Sequence, residues 1–143
     1  MPAAGYQSYQ SASISTADRG KLIIMIYDHC LKWCKIAREN LGNGDIEAAA
    51  KAIFKVQDGI TELTCSLDMD QQNDIVNNLF NLYNFYNRHL SQALTQKDTQ
   101  PIQDVETMLT ELRLAWLQAI DTVRKDDIAT LKESSGNQLR MVG

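Results

Sequence analysis

Residues 46–67 read IEAAAKAIFKVQDGITELTCSL, and their apolar positions decide the fold class. Ile46, Ala49, Ile53, Val56, Ile60, Leu63 and Leu67 recur at unbroken spacings of three and four. That is the period of one face of an α-helix, whereas a strand would need alternation. The charged and amide residues fall between these positions, so the stretch predicts an amphipathic helix with one buried stripe. Gly59 interrupts it at some cost in helix propensity.

The same period extends to both sides. From Thr16 to Leu41, Leu22, Ile26, Cys30, Trp33, Ala37 and Leu41 draw a stripe, widened by Ile23, Tyr27 and Cys34. Gly42-Asn43-Gly44 ends that helix, and Asp45 is placed to cap the free amides of the next. After Asp68-Met69-Asp70, a third stripe runs through Ile75, Leu79, Leu82, Tyr86, Leu90 and Ala93, with Val76, Tyr83 and Leu94 beside it. Asp68 and Asp70 read as caps rather than as a carboxylate pair for catalysis. Polarity rises from Thr95 to Gln100, and Pro101 falls where proline is favoured, in a first helical turn. Ile102, Val105, Leu109, Leu112, Trp116, Ala119 and Val123 then mark a fourth stripe.

Four amphipathic helices joined by short loops predict an all-α, antiparallel up-down-up-down four-helix bundle over residues 16–124. Residues 1–15, rich in Ser, Gln, Ala and Tyr, read as a flexible N-terminal segment. Residues 125–143 read as a loose C-terminal tail, with Ile128 and Leu131 spaced for one short helix.

Composition agrees and excludes several functions. The 143 residues suit one domain, and only two prolines and seven glycines interrupt helix formers. A net charge of −4, with basic residues scattered among acidic ones, gives no footprint for nucleic acid. No apolar run approaches a membrane span, and Met1 to Gln10 lacks the regions of a signal peptide, so a cytoplasmic location is expected. Cys30, Cys34 and Cys65 form an odd set in apolar stretches and read as reduced, buried thiols.

The search for chemistry yields little. A di-metal bundle needs Glu-x-x-His pairs, yet Ile26 and Tyr86 stand three residues before His29 and His89. Cys30 and Cys34 lie one turn apart and could share a metal with His29 or Cys65, but no paired CxxC spacing supports it. No metal and no cofactor is therefore expected. An exposed histidine on a bundle can accept a phosphoryl group, and His89 is the better placed of the two, so histidine phosphotransfer stands as the alternative function. Tyr6, Tyr9, Tyr27, Phe54, Phe80, Tyr83 and Phe85 exceed what a narrow seam requires. They either widen the core or line a groove for a peptide.

A resemblance narrows the choice. Tyr6, Tyr9-Gln10, Thr16-Ala17, Leu22 and Ile26-Tyr27-Asp28 are similar to the N-terminal signature of the flagellar export chaperone family FliS. Ile60, Leu63 and Ser66-Leu67-Asp68 follow in order, then Asn78-Leu79 and Leu82-Tyr83, then Leu112-Arg113 and Trp116. The likeness covers about residues 6 to 124. Three departures fall in turns and on a helix surface: Asp18 replaces a frequent proline, Gln71-Gln72-Asn73 a glycine-containing turn, and His29 a common glycine.

What the resemblance implies is a cytoplasmic, non-enzymatic chaperone. Its partner would be the disordered C-terminal segment of flagellin, kept from premature polymerisation and delivered to the flagellar type III export apparatus, with or without a co-chaperone. Positions that match the family or exceed core needs make Leu22, Tyr27, Asp28, Phe54, Leu79, Leu82 and Tyr83 the expected client surface. Tyr6, Tyr9 and Ile14 correspond to a removable lid over the client groove.

Overall fold

The computed structural model describes residues 16–71 and 73–142, with side chains described for 18–71 and 73–133. Tyr6, Tyr9 and Ile14, the expected lid, lie outside the described residues. The described residues form four helices and no strand: α1 (Thr16–Gly42), α2 (Ile46–Cys65), α3 (Asp74–Gln96) and α4 (Gln100–Val142).

Local chemistry sets each boundary. Gly44 adopts φ +82, a left-handed angle that a side chain would strain. Asp45 then caps α2, its Oδ1 accepting from the Ala48 amide at 3.1 Å. The second turn corrects the expectation that Asp68 and Asp70 cap the neighbouring helices. Asn73 caps α3 instead, accepting from the Val76 amide at 2.8 Å, while Asp68 accepts from the Asp70 amide within the loop. Lys97 closes α3 in the left-handed conformation, its amide donating to the Ala93 carbonyl. Asp98 accepts from the Gln100 amide, and Pro101 follows, buried in the first turn of α4.

The chain divides into two compact units, one of which is Ile23–Arg113. All four helices contribute to it, and it forms the up-down-up-down bundle. Its core is built from the stripes: Tyr27, Cys30, Cys34, Ala37, Ile53, Val56, Ile60, Leu63, Tyr83, Tyr86, Leu90, Ile102, Val105 and Leu109 are all essentially inaccessible. Polar contacts trace the helix order around it. Cys30 Sγ donates to the Val56 carbonyl at 3.7 Å from α1 to α2, and Gln57 Nε2 to the Asn87 carbonyl at 2.9 Å from α2 to α3. His89 on α3 meets Asp104 on α4. Arg38–Glu106 and Asp28–Arg113 join α4 back to α1 and close the ring. Between α1 and α4 the partner number falls from 113 to 106 as the other rises from 28 to 38, the mark of antiparallel neighbours.

The other unit takes the start of α1 up to Leu22 and α4 from Leu114 onward. Here α4 departs from the sequence expectation, because it runs unbroken to Val142 through the stretch read as a tail. Nothing in 125–142 forbids helix: there is no proline, and Gly136 is the residue of lowest helix propensity. Every residue from Asp121 to Glu133 is exposed, so local terms hold the segment, such as the Lys125–Asp121 pair at 3.0 Å one turn apart.

Candidate functional site

Two of the seven expected client-surface residues are interior. Tyr27 and Tyr83 are 0 % and 1 % exposed, and their hydroxyls meet at 2.6 Å between α1 and α3. Hydroxyls buried in an apolar core need hydrogen bonds, and this pair supplies one to both partners at once. The tyrosines therefore brace the wall behind a surface rather than offer one in this conformation.

The other five reach solvent. Within the Ile23–Arg113 unit, Leu79 and Leu82 are half-buried on α3. Phe54 is 57 % exposed, because it stands two residues before the core residue Val56 and so faces away from it. Asp28 is exposed, and its Oδ1 accepts from Arg113 Nε at 2.7 Å, fixing α1 against α4. In the other unit, Leu22 is 41 % exposed.

Phe80, Phe85 and Ile75 are among the large apolar residues outside that set that also stand in water. Phe80 and Phe85 are part of the aromatic surplus visible in the sequence. Ile75 belongs by spacing to the stripe of α3, but it sits in the first turn of that helix and is 72 % exposed.

The phosphotransfer candidate is engaged otherwise. His89 Nε2 donates to Asp104 Oδ2 at 3.0 Å, and its ring stacks on Phe85 with centroids 5.2 Å apart. Gln100 Nε2 donates to the other carboxylate oxygen at 2.9 Å. The hydrogen bonds from His89 and then Gln100 hold the Asp104 carboxyl below the usual carboxylate range. A phosphoryl group arriving at Nε2 would have to displace a carboxylate and then face its negative charge. The arrangement is a clasp between α3 and α4.

The cysteines divide. Cys30 and Cys34 are buried, and burial pushes the Cys30 thiol up to about 12 and Cys34 higher still. Cys65 is exposed at the end of α2, against the expectation that all three are buried. His29 Nε2 donates to the Lys55 carbonyl at 3.1 Å, and among the described residues no cluster of ligands suits a metal ion. No described helix is long and apolar enough to cross a membrane.

A compact helical bundle with a sealed core and aromatic side chains left in solvent defines an all-helical bundle protein. The comparisons with known proteins are specific. The family model described as "Flagellar protein FliS" matches residues 2–123. The flagellar secretion chaperone FliS of Bacillus subtilis is 35 % identical over 121 residues, covering 85 % of this chain and 90 % of its own. That of Salmonella typhimurium is 33 % identical over 124 residues, covering 81 % and 90 %. A solved flagellar chaperone from bacteria superposes with a TM-score of 0.68 at 19 % identity, over 82 % of this chain and 98 % of that one, and supports the fold. The chain belongs to the FliS family of flagellar secretion chaperones.

Proposed function

We propose that the chain is a cytoplasmic export chaperone for flagellin. It binds the disordered C-terminal segment of that subunit, prevents premature polymerisation and assists delivery to the flagellar type III export apparatus. The observation that carries this reading is the family match through residues 2–123, which takes in α1 to α3 and the first half of α4.

The surface chemistry suits the role. A segment destined for filament packing carries apolar side chains that must be shielded before export, and Phe54, Leu79 and Leu82 offer apolar contacts to cover them. Leu22 offers another in the second unit. Asp28 gives the surface a polar point, held in place by Arg113. The client gives up chain entropy as it orders, which keeps the affinity per area modest and release attainable. Tyr6, Tyr9 and Ile14 act as the lid that the client displaces. The role needs no cofactor and no bond making.

Replacing residues that reach solvent, exposed Phe54 and half-buried Leu82, tests the surface and leaves the sealed core residues in place. Phe54→Ser and Leu82→Ser together should weaken binding of a flagellin C-terminal peptide at least about tenfold, the loss expected when buried anchors are truncated. Helicity should not change. Wild-type affinity in the double variant would place the client elsewhere.

A further inference from the structure

From Leu114 onward α4 carries a second line of side chains, apart from the inward stripe of Trp116 and Ile120. Leu114, Leu117, Asp121, Arg124, Ile128 and Leu131 follow one another at spacings of 3, 4, 3, 4 and 3. That is the a/d period of a two-stranded coiled-coil seam. All six are exposed, the four apolar ones at 54 %, 38 %, 44 % and 68 % in chain order. An amphipathic helix rarely leaves a continuous seam of this kind in water.

The order of residue types along the line selects what covers it. From the N-terminal end it runs apolar, apolar, acidic, basic, apolar, apolar. Laid antiparallel against itself, Leu114 meets Leu131, Leu117 meets Ile128, and Asp121 meets Arg124, each contact occurring twice about a two-fold axis. A parallel pairing would set Asp121 on Asp121 and Arg124 on Arg124, so the charges reject it. Lys125 Nζ already holds Asp121 through Oδ2 at 3.0 Å, and the approach of a guanidinium to the second oxygen is compatible with that bond.

We propose that this face of α4 is a self-association seam, and that two copies of the chain pair antiparallel along residues 114–131. The seam is about 26 Å long at the helical rise per residue. A contact of one helix on one helix belongs with small, transient interfaces, so the dimer grows with concentration and is not obligate.

Sedimentation equilibrium of the full chain, without client, from micromolar to submillimolar concentration tests the pairing. The wild-type mass should climb from one chain toward two. Asp121→Arg alone opposes Arg124 of the second copy with like charge, and Arg124→Asp alone opposes Asp121, so each variant should remain a monomer. An equimolar mixture of the two should dimerise again, because each arginine then faces an aspartate. If either charge variant loses helicity, Ile128→Ser takes its place and should weaken association at least about tenfold. A wild-type mass independent of concentration, single variants that associate like wild type, a mixture no stronger than its components, or an unaffected Ile128→Ser would each overturn the proposal.

Discussion

Tyr27 and Tyr83, 56 positions apart in sequence, place their hydroxyls 2.6 Å from each other inside the bundle. The contact ties α1 to α3, helices that are not ring neighbours. Removing either hydroxyl breaks this bond, worth about 0.5–1.5 kcal/mol, and once it is broken the second hydroxyl has no more of it to lose. Tyr27→Phe and Tyr83→Phe should therefore be non-additive, the double variant losing less stability than the sum of the singles. Urea unfolding of the four proteins measures this, and strict additivity would mean that the hydroxyls are energetically independent.

Gly59 allows α2 to lie against α1. A methyl group there would collide with Cys30 Sγ and come within 3.1 Å of His29 Cδ2. Gly59→Ala gains helix propensity but overpacks the seam, and a net loss of about 1–3 kcal/mol is expected. Adding Cys30→Ala should restore part of that loss. A melting temperature raised by Gly59→Ala alone would show that the helices separate freely at this point.

The His89–Asp104 clasp should appear in the pH dependence of stability. The Asp104 carboxyl is held low in the folded chain by its hydrogen bonds from His89 and Gln100, so it binds a proton more readily unfolded. Its contribution is present above the ordinary aspartate range and disappears as pH falls through the lowered folded value. The side chain is 44 % exposed, which limits the effect to about 0.2–1 kcal/mol at neutral pH. Asp104→Asn should be less stable than wild type by that amount at pH 7, with the difference closing on acidification below about pH 4. A constant difference from pH 7 to pH 2 would contradict the assignment.

Deleting residues 1–15 tests the lid. The deletion should change client affinity while leaving helicity of the bundle intact, because Tyr6, Tyr9 and Ile14 would compete with client for the same groove. Unchanged affinity would remove these residues from the binding cycle.

Periodicity made the bundle legible because burial is what the spacing of Ala49 through Leu63 or Ile102 through Leu109 records, whereas Ile46, in the first turn of α2, is 40 % exposed. Caps were legible where one residue type dominates, as at Asp45 and Pro101. They were less so in 68–73, where several polar residues compete and the choice of Asn73 depends on where α3 begins. Ile75 fits its stripe by spacing, yet lies too near the helix end to be covered. Beyond residue 124, polarity suggested a tail, but a solvated helix needs no apolar face when propensity and i,i+4 pairs suffice. The surface was harder to read. Tyr27 and Tyr83 match family positions, and sequence does not distinguish a tyrosine that touches client from one that braces the wall. Asp28 and Arg113 both fell within the resemblance, but their ion pair spans 85 positions and follows only from helix packing.

Calorimetric titration of the purified chain with the C-terminal segment of flagellin from the same organism tests the central claim most directly, with a scrambled peptide of equal composition as control. Saturable one-to-one binding to the native segment alone, with a negative heat-capacity change from apolar burial, is the result expected. No heat of binding under conditions where circular dichroism shows a folded bundle, or equal binding of the scrambled peptide, would contradict it.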